Sequence, residues 1–248
     1  MGLTIQSPFS RKARYKLGEV HQSLQYPFHG GSYKHLHELL KQDDLAVQLA
    51  PLRSNEHNTS EFELLAICSL IKDRNYSKIF EIGTYDGRTT RAMAMNINKD
   101  GHVFTLNLPS GSNTVSLPTD RIDVGLSSKV ISGEKFVGTS QEPLISQLWG
   151  DSANFDFSPY YNIMDLVFID GAHSEDYVAN DTEKAIRMIR SNENGGLIVW
   201  HDAHLFGVKI FLTKWIRENH YPVYFIRDTS LAVLGIKDGK PFDMLASQ

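Results

Sequence analysis

From Thr59 onward, apolar runs of strand length alternate with amphipathic stretches of helix length. That alternation predicts an α/β chain, doubly wound, with a mostly parallel sheet covered on both faces. "SEFELLAICSLIKDR" opens with Ser60 and Glu63 at capping-box spacing, then carries Phe62, Leu65, Ala66, Ser69 and Leu70 at helical spacing. "KIFEIG" reads as the first strand, "RTTRAMAMNIN" as the helix after it and "HVFTLNL" as the second strand. "LISQLWG", "DLVFID" and "GGLIVWHD" supply the third to fifth, each short, apolar and closed by polar or turn residues. Ser174 to Arg190 reads as a helix with Val178, Ala185, Ile186 and Ile189 inward, and "FGVKIFLTKWIREN" as another with Phe211 and Trp215 one turn apart. "PVYFIRD" and "LAVLGIKDG" predict a terminal antiparallel pair turning at Asp228, Thr229 and Ser230.

Two regions break the alternation. Residues 1–58, with several histidines and the flexible "FHGGSYKH", read as an appended helical or extended segment, a lid or oligomerisation element rather than a domain. The main domain is then 59–248. Within it, residues 109–143 are too long for an ordinary connection and too polar for a core helix, so they read as an insertion, either a lid or a surface loop.

The formal net charge of -4 is spread over interspersed residues of both signs, and no block of Lys or Arg could track a phosphate backbone. Nucleic acid is therefore not an expected partner; a small-molecule acceptor is, and a homo-oligomer is left open. Cys68 stands alone, which excludes a disulfide framework and a cysteine zinc site and fits a reducing cytoplasm. No apolar run approaches the roughly 20 residues that span a bilayer, and "MGLTIQSPFSRKARYKLGEV" lacks the apolar core of a secretory signal, so no membrane is expected.

"FEIGTYDGRTT" sets Glu81 at the end of a strand, with Gly83 and Gly87 four apart before a helix. Glycines there let the backbone approach a ligand, and the helix start offers unpaired N–H groups. The G-x-x-x-G spacing differs from the dinucleotide fingerprint, which argues against NAD. In a doubly wound sheet, ligands gather outside the carboxyl ends of the strands. Asp170 ends the fourth strand and His201-Asp202 end the fifth, so all three point toward one crevice, and strands about 5 Å apart let two carboxylates share a cation. Imidazole in that set favours zinc, iron, nickel or manganese over magnesium. His173 follows Asp170 by three residues. The alternatives are that His173 caps the next helix, that His201 and Asp202 cap the helix near Phe206, and that Asp181, on the face of Val178 and Ala185, orients the site from behind.

"IFEIGTYDGRTT", "VFTLNLP", "QLWGDSANFDFSPYYNIMDLVFIDGAHSEDYV", "GGLIVWHDA" and "IRDTSLAVL" occur in an order that resembles the class I S-adenosylmethionine-dependent methyltransferases, above all methyltransferase family 24. The resemblance implies a Rossmann-like, mostly parallel seven-stranded sheet with an antiparallel terminal strand, and S-adenosyl-L-methionine as cofactor. It implies Glu81, Gly83, Tyr85 and Gly87 along the methionine part, with Asp170 beside it. Asn107, where the family carries an acid, would hold a ribose hydroxyl, and Asp151 and Ser152 would read the adenine. It also resembles the metal-dependent O-methyltransferases, which implies a divalent metal, Mg or Mn among others, on Asp170, His201 and Asp202, with His173 as base and Asp170 beside it in catalysis. The reaction so implied is methyl transfer to a hydroxyl of a sugar or other polar small molecule. A metal-free enzyme, an N-methyltransferase and an inactive cofactor-binding partner subunit are the other readings.

Overall fold

The computed structural model describes residues 31–55, 57–112, 115–119, 125 and 131–245. Its strands are β1 (Ser32–Lys34), β2 (Lys78–Ile82), β3 (His102–Asn107), β4 (Ile145–Trp149), β5 (Leu166–Ile169), β6 (Gly196–Trp200), β7 (Tyr224–Ile226), β8 (Ala232–Lys237) and β9 (Lys240–Phe242). The helices are α1 (Glu61–Asp73), α2 (Arg88–Ala94), α3 (Glu175–Met188) and α4 (Phe206–Asn219), with short 3-10 turns between. All strands join one sheet in the order β1-β7-β8-β6-β5-β2-β3-β4, with β9 beside β8. β8 runs antiparallel to β6, β7 and β9; every other pairing is parallel.

The period-2 alternation of side chains splits the core between the two faces. Phe80, Ile82, Val167, Ile169, Ile198 and Trp200 pack with Val178 and Ala185 of α3 and Leu212 of α4. Ile79, Val103, Phe168 and Val199 pack on the other side with Ile67 and Leu70 of α1 and Met93 of α2. Helices thus cover both faces, and the strand ends are left for chemistry. Order reverses between β2 and β5, whose neighbours lead off in opposite directions, and this is where a doubly wound sheet opens a crevice.

Two features correct the sequence reading. The sheet has nine strands rather than seven, because the three-residue β1 and β9 add to its β7–β8 side; runs that short carry no periodicity. The helix after β2 ends at Ala94 instead of Asn98. From the appended segment, β1 lies along β7 and Pro51 is held to α2 by the buried Arg88, which donates to the carbonyls of Pro51 and Thr59 and pairs with Glu61 at 3.0 Å. The expectations for residues 1–30, and for residues 113–114, 120–124 and 126–130 of the insertion, lie outside the described residues. Of the insertion, residues 131–137 pack on the glycine turn: the Gly133 and Lys135 amides donate to the carbonyls of Tyr85 (3.1 Å) and Asp86 (2.9 Å). No described helix is long and apolar enough to cross a membrane.

Candidate active site

The turn after β2 is shaped by close approach. Gly83 has φ +105°, and a Cβ there would lie 2.0 Å from the Asp170 carbonyl oxygen. Only glycine lets the end of β2 pass the end of β5 this closely. Gly87, at φ +83°, is the residue before α2, and a Cβ on it would meet Phe136 of the insertion at 2.6 Å. Tyr85, between them, is also left-handed at φ 50°.

Beneath the turn runs a chain of neutral donors. Gln147 donates to Thr84 Oγ1 (3.0 Å), Thr84 and Thr105 hydroxyls lie 2.7 Å apart, and Thr105 donates to Glu81 Oε2 at 2.5 Å. A hydroxyl has one proton, so Thr84 must donate to Thr105, and the direction of the chain is fixed. Thr90 donates to the same Glu81 oxygen. Glu81 Oε1 has no hydrogen-bond partner among the described residues. Burial pushes the Glu81 carboxyl up to about 8, despite its two hydroxyl donors. Asn107 takes the Thr84 amide on Oδ1 at 3.2 Å, so its carbonyl braces the turn.

Asp151 accepts the Ala153 amide (3.0 Å) and the Tyr177 hydroxyl (2.8 Å) on Oδ1, and the Ser116 amide (2.8 Å) on Oδ2. Burial opposes ionisation, but these donors hold its carboxyl below the usual range. The described residues 115–119 therefore lie against the residue expected to read the adenine. The Ser152 carbonyl accepts from Asn180 (3.2 Å), next to Asp181, which is fully buried on α3 and whose carboxyl burial raises to about 7. Asp181 Oδ1 accepts from Asn180 (2.9 Å), and its Oδ2 reaches the end of β5, where a Cβ on Gly171 would lie 3.5 Å from it.

At the ends of β5 and β6 the charges converge. One oxygen or nitrogen each from Asp170, His173 and Asp202 lies within 4.8 Å of the others, a spacing that would admit a metal ion. His173 Nε2 is 3.2 Å from Asp202 Oδ2, and Asp202 sits at φ +50°. His201 is not in this group. It is buried behind it, with Nδ1 2.9 Å from Asp170 Oδ1 and 3.3 Å from Asp202 Oδ2, and Nε2 3.3 Å from Glu63 Oε2. Burial would lower the His201 pKa, but Asp170 and Asp202 outweigh it and hold it well above its usual value. A ring that donates from both nitrogens to carboxylates has no lone pair left for a metal. Of the three residues expected to hold a metal, Asp170 and Asp202 come together with His173 within 4.8 Å, while His201 lies behind them. Three carboxylates facing one charged imidazole leave negative charge that a divalent cation would neutralise, so the donor set fits such an ion.

The capping alternatives do not hold. Ser174, not His173, caps α3, taking the Tyr177 amide at 3.4 Å, and Leu205 precedes α4 with no side-chain cap. Sequence reasoning missed Glu63. Its capping box with Ser60 is present, but the same carboxylate also accepts the Ser230 amide (2.7 Å) and hydroxyl (2.6 Å) and meets His201. No local pattern links positions so far apart; only the awkward burial of a second carboxylate near a histidine could have signalled it.

A glycine cradle beside an acid-lined strand end, at the reversal point of a doubly wound sheet, defines a group-transfer site for a small cofactor. The methyltransferase-domain model of methyltransferase family 24 matches residues 80–203, from the glycine turn through Asp202, and the chain belongs to that family. It is an S-adenosylmethionine-dependent methyltransferase. Its fold is similar to that of the SAH-bound Podospora anserina methyltransferase PaMTH1, at 15% identity and TM-score 0.52, covering 95% of this chain and 100% of that one. It is also similar to the SAH-complexed O-methyltransferase of Bacillus cereus, at 15% identity and TM-score 0.50, covering 73% of this chain and 84% of that one. No curated protein matches the sequence.

Proposed function

We propose that the enzyme methylates a hydroxyl of a sugar or other polar small molecule, with Asp170, His173 and Asp202 holding a divalent cation against the acceptor. The observation that carries this reading is the convergence of those three donors within 4.8 Å, directly beside the Asp170 carbonyl that packs on the Gly83 turn. A methyl group delivered over the glycine turn would reach an acceptor at the acid cluster across a short gap, which is what in-line displacement needs. The carbon–oxygen bond forms as the carbon–sulfur bond breaks, and the hydroxyl proton must leave. The cation's contribution is Lewis acidity that lowers the acceptor's pKa. Two carboxylates with one imidazole suit manganese, iron or zinc better than magnesium. The O-methyltransferase name of the Bacillus cereus structure supports oxygen as the acceptor atom.

A second reading keeps His173 as the general base without a metal. It is favoured by the 3.2 Å approach of Asp202 Oδ2 to His173 Nε2, which would orient the ring and favour its protonated form after catalysis. Asn107, Asp151 and Ser152 remain the proposed contacts to ribose and adenine, with Gly83, Tyr85, Gly87 and Glu81 along the methionine part.

The deciding experiment is methyl transfer to a panel of sugars, sugar nucleotides and phenols, read by mass spectrometry, with and without chelator. Loss of transfer in chelator, restored by Mn²⁺, is the expected result. Full transfer in chelator would remove the cation and leave the His173 base.

A further inference from the structure

Glu63 belongs to α1, far in sequence from every residue of the acid cluster, yet it is buried behind that cluster and touches two of its supports. Its Oε2 lies 3.3 Å from His201 Nε2, and His201 Nδ1 in turn lies within 3.3 Å of both Asp170 and Asp202. Its Oε1 accepts from the amide and hydroxyl of Ser230, while Ser230 Oγ accepts the Asp202 amide at 3.1 Å and the Ser230 carbonyl accepts the Ala203 amide at 2.9 Å. One carboxylate therefore grips both the ring that separates the two aspartates and the serine that holds the left-handed backbone of Asp202.

A helix cap needs none of this. The cap is complete once Glu63 accepts the Ser60 amide (2.9 Å) and Ser60 accepts the Glu63 amide. A carboxylate buried only to cap would be costly, because a solvent-facing glutamate does the same work. We propose that Glu63 is a positioning residue of the methyl-transfer site: through His201 it fixes the separation of the Asp170 and Asp202 carboxylates, and through Ser230 it fixes the direction of Asp202. The first helix, which precedes the glycine turn, thereby becomes part of the site. This rests on the reading of Asp170, His173 and Asp202 as the acceptor-side cluster.

The test compares Glu63→Gln, His201→Gln and the double variant, with Ser60→Ala as the control for the cap. The glutamine side chain can still accept from Ser230 but presents an amide where a carboxylate met His201. The crystal structure of Glu63→Gln should show the Asp170, His173 and Asp202 donor atoms spread beyond the wild-type spacing, while Ser60→Ala leaves them in place. Binding of Mn²⁺, followed by its electron paramagnetic resonance signal, should weaken roughly 10- to 100-fold in Glu63→Gln. In the His201→Gln background, Glu63→Gln should add less than about threefold, since residues acting through one ring are not additive. Donor atoms that stay in place in the Glu63→Gln crystal would overturn the proposal. So would losses that multiply in the double variant. A wild-type protein that binds no Mn²⁺ would instead overturn the cation reading, and the crystal comparison would still decide the role of Glu63.

Discussion

At the end of β2 a buried carboxylate is held by threonine hydroxyls, whereas at the ends of β5 and β6 three carboxylates are held by a single imidazole. The Glu81 side is neutral by construction: Gln147, Thr84, Thr105 and Thr90 supply donors that carry no charge, and the carboxyl is pushed up to about 8. On the acid side His201 Nδ1 lies 2.9 Å from Asp170 and 3.3 Å from Asp202. The Asp202 carboxyl stays well below its usual value; burial opposes this, and His201 and His173 overcome it. On the proposed function, a cationic cofactor and an acceptor needing deprotonation pose different electrostatic demands, and the two regions would answer them with different donors. They meet where Gly83 touches Asp170.

The largest effect that can break this division is on the acid side. His173→Ala should lower transfer by roughly two to four orders of magnitude if the ring is the base. Folding and S-adenosylhomocysteine affinity should be nearly unchanged, because the ring is partly open and Ser174 still caps α3. If His173 is a cation ligand instead, added Mn²⁺ should recover part of the loss. A His173→Ala enzyme with wild-type turnover would remove both roles.

The next effect tests the meeting point. Gly83→Ala places a methyl group 2.0 Å from the Asp170 carbonyl at a left-handed φ, so strain and overpacking add. A loss of about 3 kcal/mol or more is expected, which for a chain of this size lowers Tm by roughly 6–12 °C. Cofactor affinity measured on the folded fraction would then report displacement of Asp170 as well as of the turn. An unchanged Tm would show that the two regions are less tightly joined than their backbones indicate.

Much of this was readable in the sequence, and what was not has a physical cause. Strands such as "KIFEI" and "LIVW" are buried on both faces and announce themselves as apolar runs. Asp170 and Asp202 come together because strand ends at a reversal point must face one crevice, and that much follows from the strand pattern alone. Which histidine joins them was not decidable, since the choice depends on where Glu63 and Ser230 arrive from distant parts of the chain. Glu63 was visible only as a cap for the same reason. β1 and β9 escaped because three residues have too little pattern, and their pairing comes from neighbours already in place.

A smaller effect tests the neutral side. The Glu81 carboxyl is raised in the folded protein, so its contribution to stability is fully present below its unfolded pKa and is lost as pH rises toward about 8. Glu81→Gln keeps an oxygen for Thr90 and Thr105 without the charge. In the absence of cofactor it should be nearly neutral near pH 4 and increasingly stabilising up to about pH 8, by about 1–3 kcal/mol at the upper end. Tm measured across pH 4–9 gives the difference curve; a flat one would mean that Glu81 ionises as readily in the fold as in the unfolded chain, and the contrast between the two regions would fail.

The smallest effect concerns a charge that sits on the neutral side. Asp151 is ionised, and hydrogen bonds rather than a cation hold it: Tyr177 donates to Oδ1, and the same phenol oxygen accepts the amides of Ser116 (3.2 Å) and Leu117 (3.4 Å). Burial, with the Asp151 charge beside it, pushes the Tyr177 hydroxyl up to about 12, so it remains a donor at every working pH. Tyr177→Phe removes that donor and both acceptor contacts while keeping the ring in the core. The cost should be about 1 kcal/mol, the usual net worth of a hydrogen bond whose partners retain other contacts. The Leu117 amide should exchange with solvent faster than in the wild type, and Ser116 less so, because Asp151 Oδ2 still accepts it. Amides of the Thr84 turn should be unaffected, since no described contact links them to Tyr177. Faster exchange at both places would mean that the insertion and the glycine turn open together, as one cooperative unit rather than two.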